Sequence, residues 1–291
     1  MNTWTEPAYA KINLSLDVLG KRPDGFHDLR MVMQSVSLHD DVTLTLDGGE
    51  GLRLATNVGF LPVDERNIAA VAARAFARHT GVSVDGLAIR IEKRIPVCAG
   101  TAGGSSDGAA VLRGLNRLFD TGLTLEELAH IGEEAGSDVP YCVLGGTALA
   151  EGRGERLKQL RALPACHIVL CKPAFPISTP ELFRAIDAVR LRCRPDTAGM
   201  MEALEQDDLH GVARRMFNVF EQALPAKRLG VVEEIRDTMI QRGAIGSCMS
   251  GSGPTVFGIF EGEREAKAAV DALKSTYPDT FLTVPVYYSG N

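Results

Sequence analysis

The chain has 291 residues, with 31 lysines and arginines against 37 aspartates and glutamates and a formal net charge of −6. Hydrophobic residues at 45% and charged residues at 23% exclude a mostly disordered chain and supply a sizeable core. The acidic balance, with no basic run, excludes a nucleic-acid binder, and no segment nears the ~18 apolar residues of a membrane span.

Residues 1–9 carry neither a basic nor an apolar leader region, so no secretory signal is expected there. The cysteines, Cys98, Cys142, Cys166, Cys171, Cys193 and Cys248, include no C-x-x-C pair. They are expected to be free thiols in a reducing cytoplasm, without a disulfide scaffold or a zinc cluster.

In chain order, residues 10–20 alternate. Ala10, Ile12, Leu14, Leu16 and Val18 share one face, and Lys11, Asn13, Ser15 and Asp17 the other, which predicts a half-buried strand. Residues 42–46 and 52–54 flank Asp47-Gly48-Gly49 and predict a hairpin. Residues 67–79 read as an alanine-rich helix and 87–91 as a strand. A glycine- and serine-rich stretch after Pro96 leads into a helix bearing Val111, Leu115, Leu118 and Phe119. Thr124 with Glu127 forms a capping box opening a helix closed by Gly136, and residues 142–150 read as a strand.

Residues 156–164 are where a domain boundary could fall. Beyond them a strand is expected at 167–171, then a helix opened by a second capping box, Ser178 with Glu181, and carrying Phe183. Helices follow to 224 and over 229–242. Strands at 244–249 and 255–260 enclose Ser250-Gly251-Ser252-Gly253-Pro254, and a helix at 264–275 and a strand at 281–287 complete the pattern. That order suits an antiparallel sheet covered on one face.

The strongest chemical signal is Ala99, Gly100, Thr101, Ala102, Gly103, Gly104, Ser105, Ser106 and Asp107. Glycines clear side chains from a loop entering a helix, so backbone N–H groups and the helix dipole can hold a phosphate chain; a flexible turn with a serine cap is the plainer reading. The loop is neither a P-loop, since it has no lysine, nor a G-x-G-x-x-G fingerprint.

Lys11 and Asn13 lie on the polar strand face, which could simply be solvated. Asp138, before Val139-Pro140, could cap a short helix or accept the proton of a substrate hydroxyl. Phe26 and His27, after the Pro23-Asp24-Gly25 turn, and Phe183 could stack on a base or pack in the core. Residues 250–253 could be a tight turn or a second set of N–H donors.

Together, the order at 96–107 (Pro-x-x-x-Gly-x-x-Gly-Gly-Ser-Ser-Asp) and Met249-Ser-Gly-Ser-Gly-Pro-Thr255 resemble the GHMP small-molecule kinases. Residues 8–16, 22–27, 136–141 and 177–181 are similar to the branch of that family whose acceptor is a cytidine-diphosphate-linked methylerythritol. The resemblance implies an α+β, two-domain GHMP kinase fold. An ATP-binding domain similar to ribosomal protein S5 domain 2 would span residues 1–160. A ferredoxin-like substrate domain would span 161–291, its last strand able to return to the first domain.

The implied reaction is ATP-dependent phosphorylation of the acceptor's 2-hydroxyl in non-mevalonate isoprenoid precursor synthesis, with Mg²⁺ bridging the phosphates. The resemblance assigns Asp138 as catalytic base and Lys11 as its partner. It assigns Pro96, residues 99–107, Asn67 and Lys93 to ATP. Asn13, His27, Thr179 and the ring pair Phe26 and Phe183, on either face of the cytosine, fall to the cytidine half.

Two positions depart from the family pattern. Thr101-Ala102 stands where Leu-Gly is common, limiting position 102 to conformations an alanine accepts. Phe26 stands where Tyr is usual, which keeps stacking but loses a hydroxyl hydrogen bond. Two other readings remain. A family kinase for a sugar or homoserine would have no use for the Phe26, His27 and Phe183 set, and a non-catalytic ligand-binding relative would not need Asp138 and Lys11.

Overall fold

The structure is a computed structural model that describes residues 2–287. The alternating N-terminal pattern extends further than expected, as strand β1 (Asn2–Lys21). A turn with Gly25 at φ +86° and Phe26 N donating to Asp24 Oδ1 leads into β2 (His27–Leu46). There follow β3 (Arg53–Thr56), α1 (Ile68–Thr80), β4 (Leu87–Glu92), α2 (Gly103–Leu118), α3 (Leu125–Gly132), α4 (Val139–Leu144), β5 (Thr147–Gly152) and β6 (Arg156–Gln159). After them come β7 (His167–Cys171), α5 (Thr179–Ala188), α6 (Thr197–Glu205), α7 (Leu209–Arg214), β8 (Phe217–Asn218) and a 3-10 turn (Val219–Ala223). The last elements are α8 (Ala226–Gln241), β9 (Gly246–Met249), β10 (Val256–Phe260), α9 (Glu263–Lys274) and β11 (Thr280–Thr283).

The residues gather into two compact units, one holding 2–10, 39–97 and 102–145, the other 11–38, 98–101 and 146–287. Both β1 and β2 contribute one stretch to each unit.

In the first unit β4 lies between β2 and β3, antiparallel to β2 from Asp41↔Glu92 to Leu46↔Leu87 and parallel to β3. The hairpin expected around residues 47–49 is therefore corrected. The chain does turn there, with Gly48 at φ +75° and Gly49 N donating to Asp47 Oδ1, but β3 pairs with β4 rather than with β2. Helices α1 and α2 pack at backbone distance: a Cβ on Gly108 would lie 2.8 Å from Ile68 Cγ2. Buried Arg113 of α2 donates to Glu6 Oε1, to Pro7 O and to Cys142 O, so its charge is both paired and hydrogen-bonded.

The strand expected at 142–150 is also corrected. Residues 139–144 form the helix α4, Gly145 and Gly146 (φ +64° and +75°) break the run, and β5 starts at Thr147. A short apolar run does not distinguish buried helix from buried strand by periodicity. The Thr124–Glu127 capping box forms as read, although α3 ends at Gly132, before Gly136.

In the second unit β5 pairs antiparallel with β2 (Leu29↔Gly152 to Gln34↔Thr147) and with β6, while β8 pairs parallel with β1 at Ser15 and Leu16. A separate antiparallel sheet runs β11-β7-β10-β9, as the second half of the sequence suggested. Every residue of β10 is buried, and α8 and α9 pack on this sheet. The last expected strand is shorter than residues 281–287. After β11, Val284 O accepts from Ser37 N and Val286 N donates to Ser35 O, so the chain runs along β2. Ser178 is the N-cap of α5 but its side chain makes no capping bond, so the second capping box does not form.

Candidate active site

The loop at 99–107 divides between the units, with residues 99–101 in the second and 102–107 in the first. In the first unit, Ala102 is the N-cap of α2 at φ +58° and ψ +29°. That left-handed conformation is open to alanine at a cost and is natural to glycine. The next N–H groups, of Gly103, Gly104 and Ser105, begin the helix and have no acceptor within it. A Cβ on Gly103 would lie 3.1 Å from Ile95 Cγ2, so glycine lets the turn approach the 93–95 segment closely.

The two serines diverge. Ser106 is buried and donates to Tyr9 O at 2.6 Å, which ties α2 to β1, while half-buried Ser105 makes no side-chain hydrogen bond among the described residues.

Asp107 belongs to a buried cluster. Lys93 Nζ donates to Asp107 Oδ2 at 2.6 Å and also to Asp40 Oδ2, and Asp40 Oδ1 accepts from the backbone N–H groups of Arg94 and Ile95. Asp107 Oδ1 is buried without a hydrogen-bond partner among the described residues. Burial, aided by the neighbouring Asp40 charge and opposed by Lys93, pushes the Asp107 carboxyl up to about 8. One ammonium thus serves two carboxylates, and burial favours the protonated form of Asp107. Lys93 uses its ammonium here, and Asn67 caps α1 by accepting from Ala69 N while donating to Pro62 O. Pro96 lies partly buried after Ile95.

Asp138 takes the N-cap position of α4, as one reading of the sequence expected, but its side chain makes no capping hydrogen bond, and it is half-buried.

The second unit carries a knot of backbone and polar side chains. Lys11 and Asn13 are buried, and Lys11 Nζ donates to Asn13 Oδ1 at 2.6 Å. Asn13 N donates to Ser250 Oγ, and Ser250 Oγ donates to Gly100 O. Thr101 O accepts from Lys11 N, and Ala99 O from Thr255 N. At Gly100 (φ +75°) a Cβ would lie 2.3 Å from Ser250 O, a distance that only glycine permits. At Gly251 (φ +56°) it would lie 3.3 Å from both Lys11 Nζ and Asn13 Oδ1. The 250–253 turn therefore serves as a wall against which Lys11, Asn13 and Gly100 are placed. Asn218, which no motif in the sequence marks, donates to Met249 O and Gly251 O and accepts from Phe220 N, anchoring that wall.

Three rings stand in a row in the same unit. His27 and Phe183 are stacked, with centroids 4.6 Å apart and planes at 24°, and Phe183 meets Phe220 edge-on at 5.0 Å. His27 Nε2 lies 2.7 Å from Asp187 Oδ1. Phe26 is 53% exposed, with the Arg153 guanidinium 5.2 Å from its ring centre. The rings expected on either face of a cytosine thus have different settings: one face of Phe183 is covered by His27, and Phe26 stands out from the surface. Thr179, at the start of α5, has its Oγ1 2.9 Å from Ser252 Oγ. A cavity of about 1050 Å³ in this unit is bounded by Arg190, Arg192, Asn218, Glu221, Leu229 and Cys248, and neither the ring residues nor Thr179 line it. Among the described residues no three His, Cys, Asp or Glu side chains converge on a metal position, and no helix is long and apolar enough to cross a membrane.

Residues 67–146 match the family description "GHMP kinases N terminal domain" and residues 200–279 match "GHMP kinases C terminal". A protein of Lachnospira eligens named 4-diphosphocytidyl-2-C-methyl-D-erythritol kinase is 45% identical over 267 residues, covering 92% of each chain. A protein of the same name from Lachnoclostridium phytofermentans is 45% identical over 278 residues, 95% of each. The chain belongs to this family of GHMP kinases. It is an ATP-dependent small-molecule kinase with the family's two-domain α+β fold. A crystal structure of 4-(cytidine 5'-diphospho)-2C-methyl-D-erythritol kinase, 33% identical, superposes with a TM-score of 0.80 and covers 97% of this chain and 99% of its own.

Proposed function

We propose that the enzyme transfers the terminal phosphoryl group of ATP to the 2-hydroxyl of 4-diphosphocytidyl-2-C-methyl-D-erythritol, releasing the 2-phosphate and ADP, in the cytoplasm. The names of relatives more than 40% identical over nine-tenths of the chain support the acceptor. The observation that carries phosphoryl transfer is the first turn of α2, where Gly103, Gly104 and Ser105 offer N–H groups and a hydroxyl uncovered by side chains.

In this reading residues 99–107 wrap the triphosphate of ATP, with Pro96, Asn67 and Lys93 shaping the nucleotide end. Asp138, whose carboxylate is not used as a cap, accepts the proton of the acceptor hydroxyl, and the Lys11 ammonium steadies the negative charge that develops. Asn13, His27, Phe26, Phe183 and Thr179 hold the cytidine half. Mg²⁺, when bound, neutralises phosphate charge. It needs no protein cage for that, because it keeps several waters and is held largely through substrate phosphates. Ser105, half-buried in the first turn of α2 and without a side-chain hydrogen bond among the described residues, would offer the hydroxyl toward such an ion.

The test is ADP release with a panel of acceptors under saturating ATP. The cytidine-diphosphate-linked methylerythritol should turn over while homoserine, mevalonate and galactose do not. Turnover of one of those three without the cytidine compound would overturn the acceptor assignment.

A further inference from the structure

Phe183 and Asp187 are four residues apart on α5, so they project side by side from one face of the helix. His27, the first residue of β2, lies across both. Its ring is stacked on Phe183, and its Nε2 is 2.7 Å from Asp187 Oδ1. His27 is only 8% exposed, so its Nε2–H needs an acceptor within the protein, and Asp187 provides it. Lys21, at the end of β1, places its Nζ 3.6 Å from Asp187 Oδ2, so the same carboxylate grips both sides of the turn that carries Phe26. The hydrogen bond from His27 holds the Asp187 carboxyl below the usual carboxylate range, which keeps it an acceptor throughout the neutral range.

We propose that Asp187 is a positioning residue for the acceptor: it fixes the plane of the His27 ring against Phe183, so that the ring row stands assembled before the pyrimidine arrives. This rests on the reading of His27 and Phe183 as contacts of the cytidine half. An imidazole bonded at one edge and stacked on one face has a single orientation. Removing the carboxylate frees rotation about its terminal torsion and uncovers Phe183. Binding then has to restore an arrangement that the native protein holds in advance, and the cost falls on acceptor affinity rather than on chemistry.

The experiment compares Asp187→Ala, Asp187→Asn and His27→Ala by steady-state kinetics, with the cytidine-bearing acceptor and ATP varied separately and thermal unfolding of each variant recorded. Asp187→Ala should raise KM for the acceptor about tenfold, the scale of one unsatisfied buried donor, while kcat and KM for ATP stay within about twofold. Asp187→Asn keeps an oxygen for Nε2–H and should recover most of the loss. If His27→Ala raises acceptor KM and Asp187→Ala does not, the positioning role is overturned while the acceptor site stands. If Asp187→Ala shifts both KM values together with Tm, and the asparagine fails to restore them, Asp187 only holds the fold. If His27→Ala leaves acceptor KM unchanged, the acceptor assignment itself falls.

Discussion

Ala102 sits at φ +58°, where the Cβ of an L-residue crowds the following carbonyl at a cost of roughly 1–2 kcal/mol. Glycine would remove that cost but adds about 0.5–1 kcal/mol of unfolded-chain entropy. Ala102→Gly should therefore leave stability unchanged or raise it by up to about 1.5 kcal/mol in urea unfolding. A clear loss of stability would mean that the alanine methyl packs more than it strains. The neighbouring serines show how far residue type alone reaches. Both were legible as first-turn hydroxyls, but Ser106 faces the Tyr9 carbonyl from nearly a hundred residues upstream. Asn218 and Asp40 fared similarly. Asn218 is a lone polar residue in an apolar stretch and Asp40 one of a polar run, His39-Asp40-Asp41, and the role of each as an anchor exists only through backbone groups from distant segments.

At the level of elements, the Lys93, Asp40 and Asp107 cluster joins β2, the 93–95 segment and α2 beneath the turn assigned to phosphate. Burial raises the Asp107 carboxyl from 3.8 to about 8. A group raised on folding binds its proton more tightly in the native state, so its contribution is complete below pH 3.8 and is lost as pH rises through about 8. Asp107→Asn cannot ionise and escapes that loss. Measured by urea unfolding, the stability of the variant relative to the native protein should shift in the variant's favour between pH 5 and pH 8.5. A constant difference across that range would show that Asp107 is ionised throughout.

Local signals read well where the stabilising partner is local. The Thr124–Glu127 box and the α1 start at Asn67 formed as their spacing indicates. Ser178 and Glu181 have the same spacing without the bonds, and Pro180 occupies the first turn there. The Asp47-Gly48-Gly49 turn misled because β4 is inserted between the strands it seemed to join, a pairing that only the assembled sheet decides.

Over the whole molecule, both long N-terminal strands and the 99–107 loop contribute to two compact units, so no unit is a contiguous piece of chain. The glycine-rich loop and the acidic N-cap of α4 could be found in the sequence because each carries its chemistry in a few adjacent residues. The row of rings could be named but not arranged, since His27 meets Phe183, Asp187 and Phe220 from a segment about 160 to 190 residues upstream of them. The proposed phosphoryl transfer depends on Asp138 taking the proton of the acceptor hydroxyl.

The most direct test is kcat of Asp138→Asn with the cytidine-diphosphate-linked acceptor, alongside ATP affinity by calorimetry. A fall in kcat of about 10²-fold or more is expected, with ATP binding unchanged. A kcat equal to that of the native enzyme would remove Asp138 from the chemistry and contradict the proposed mechanism.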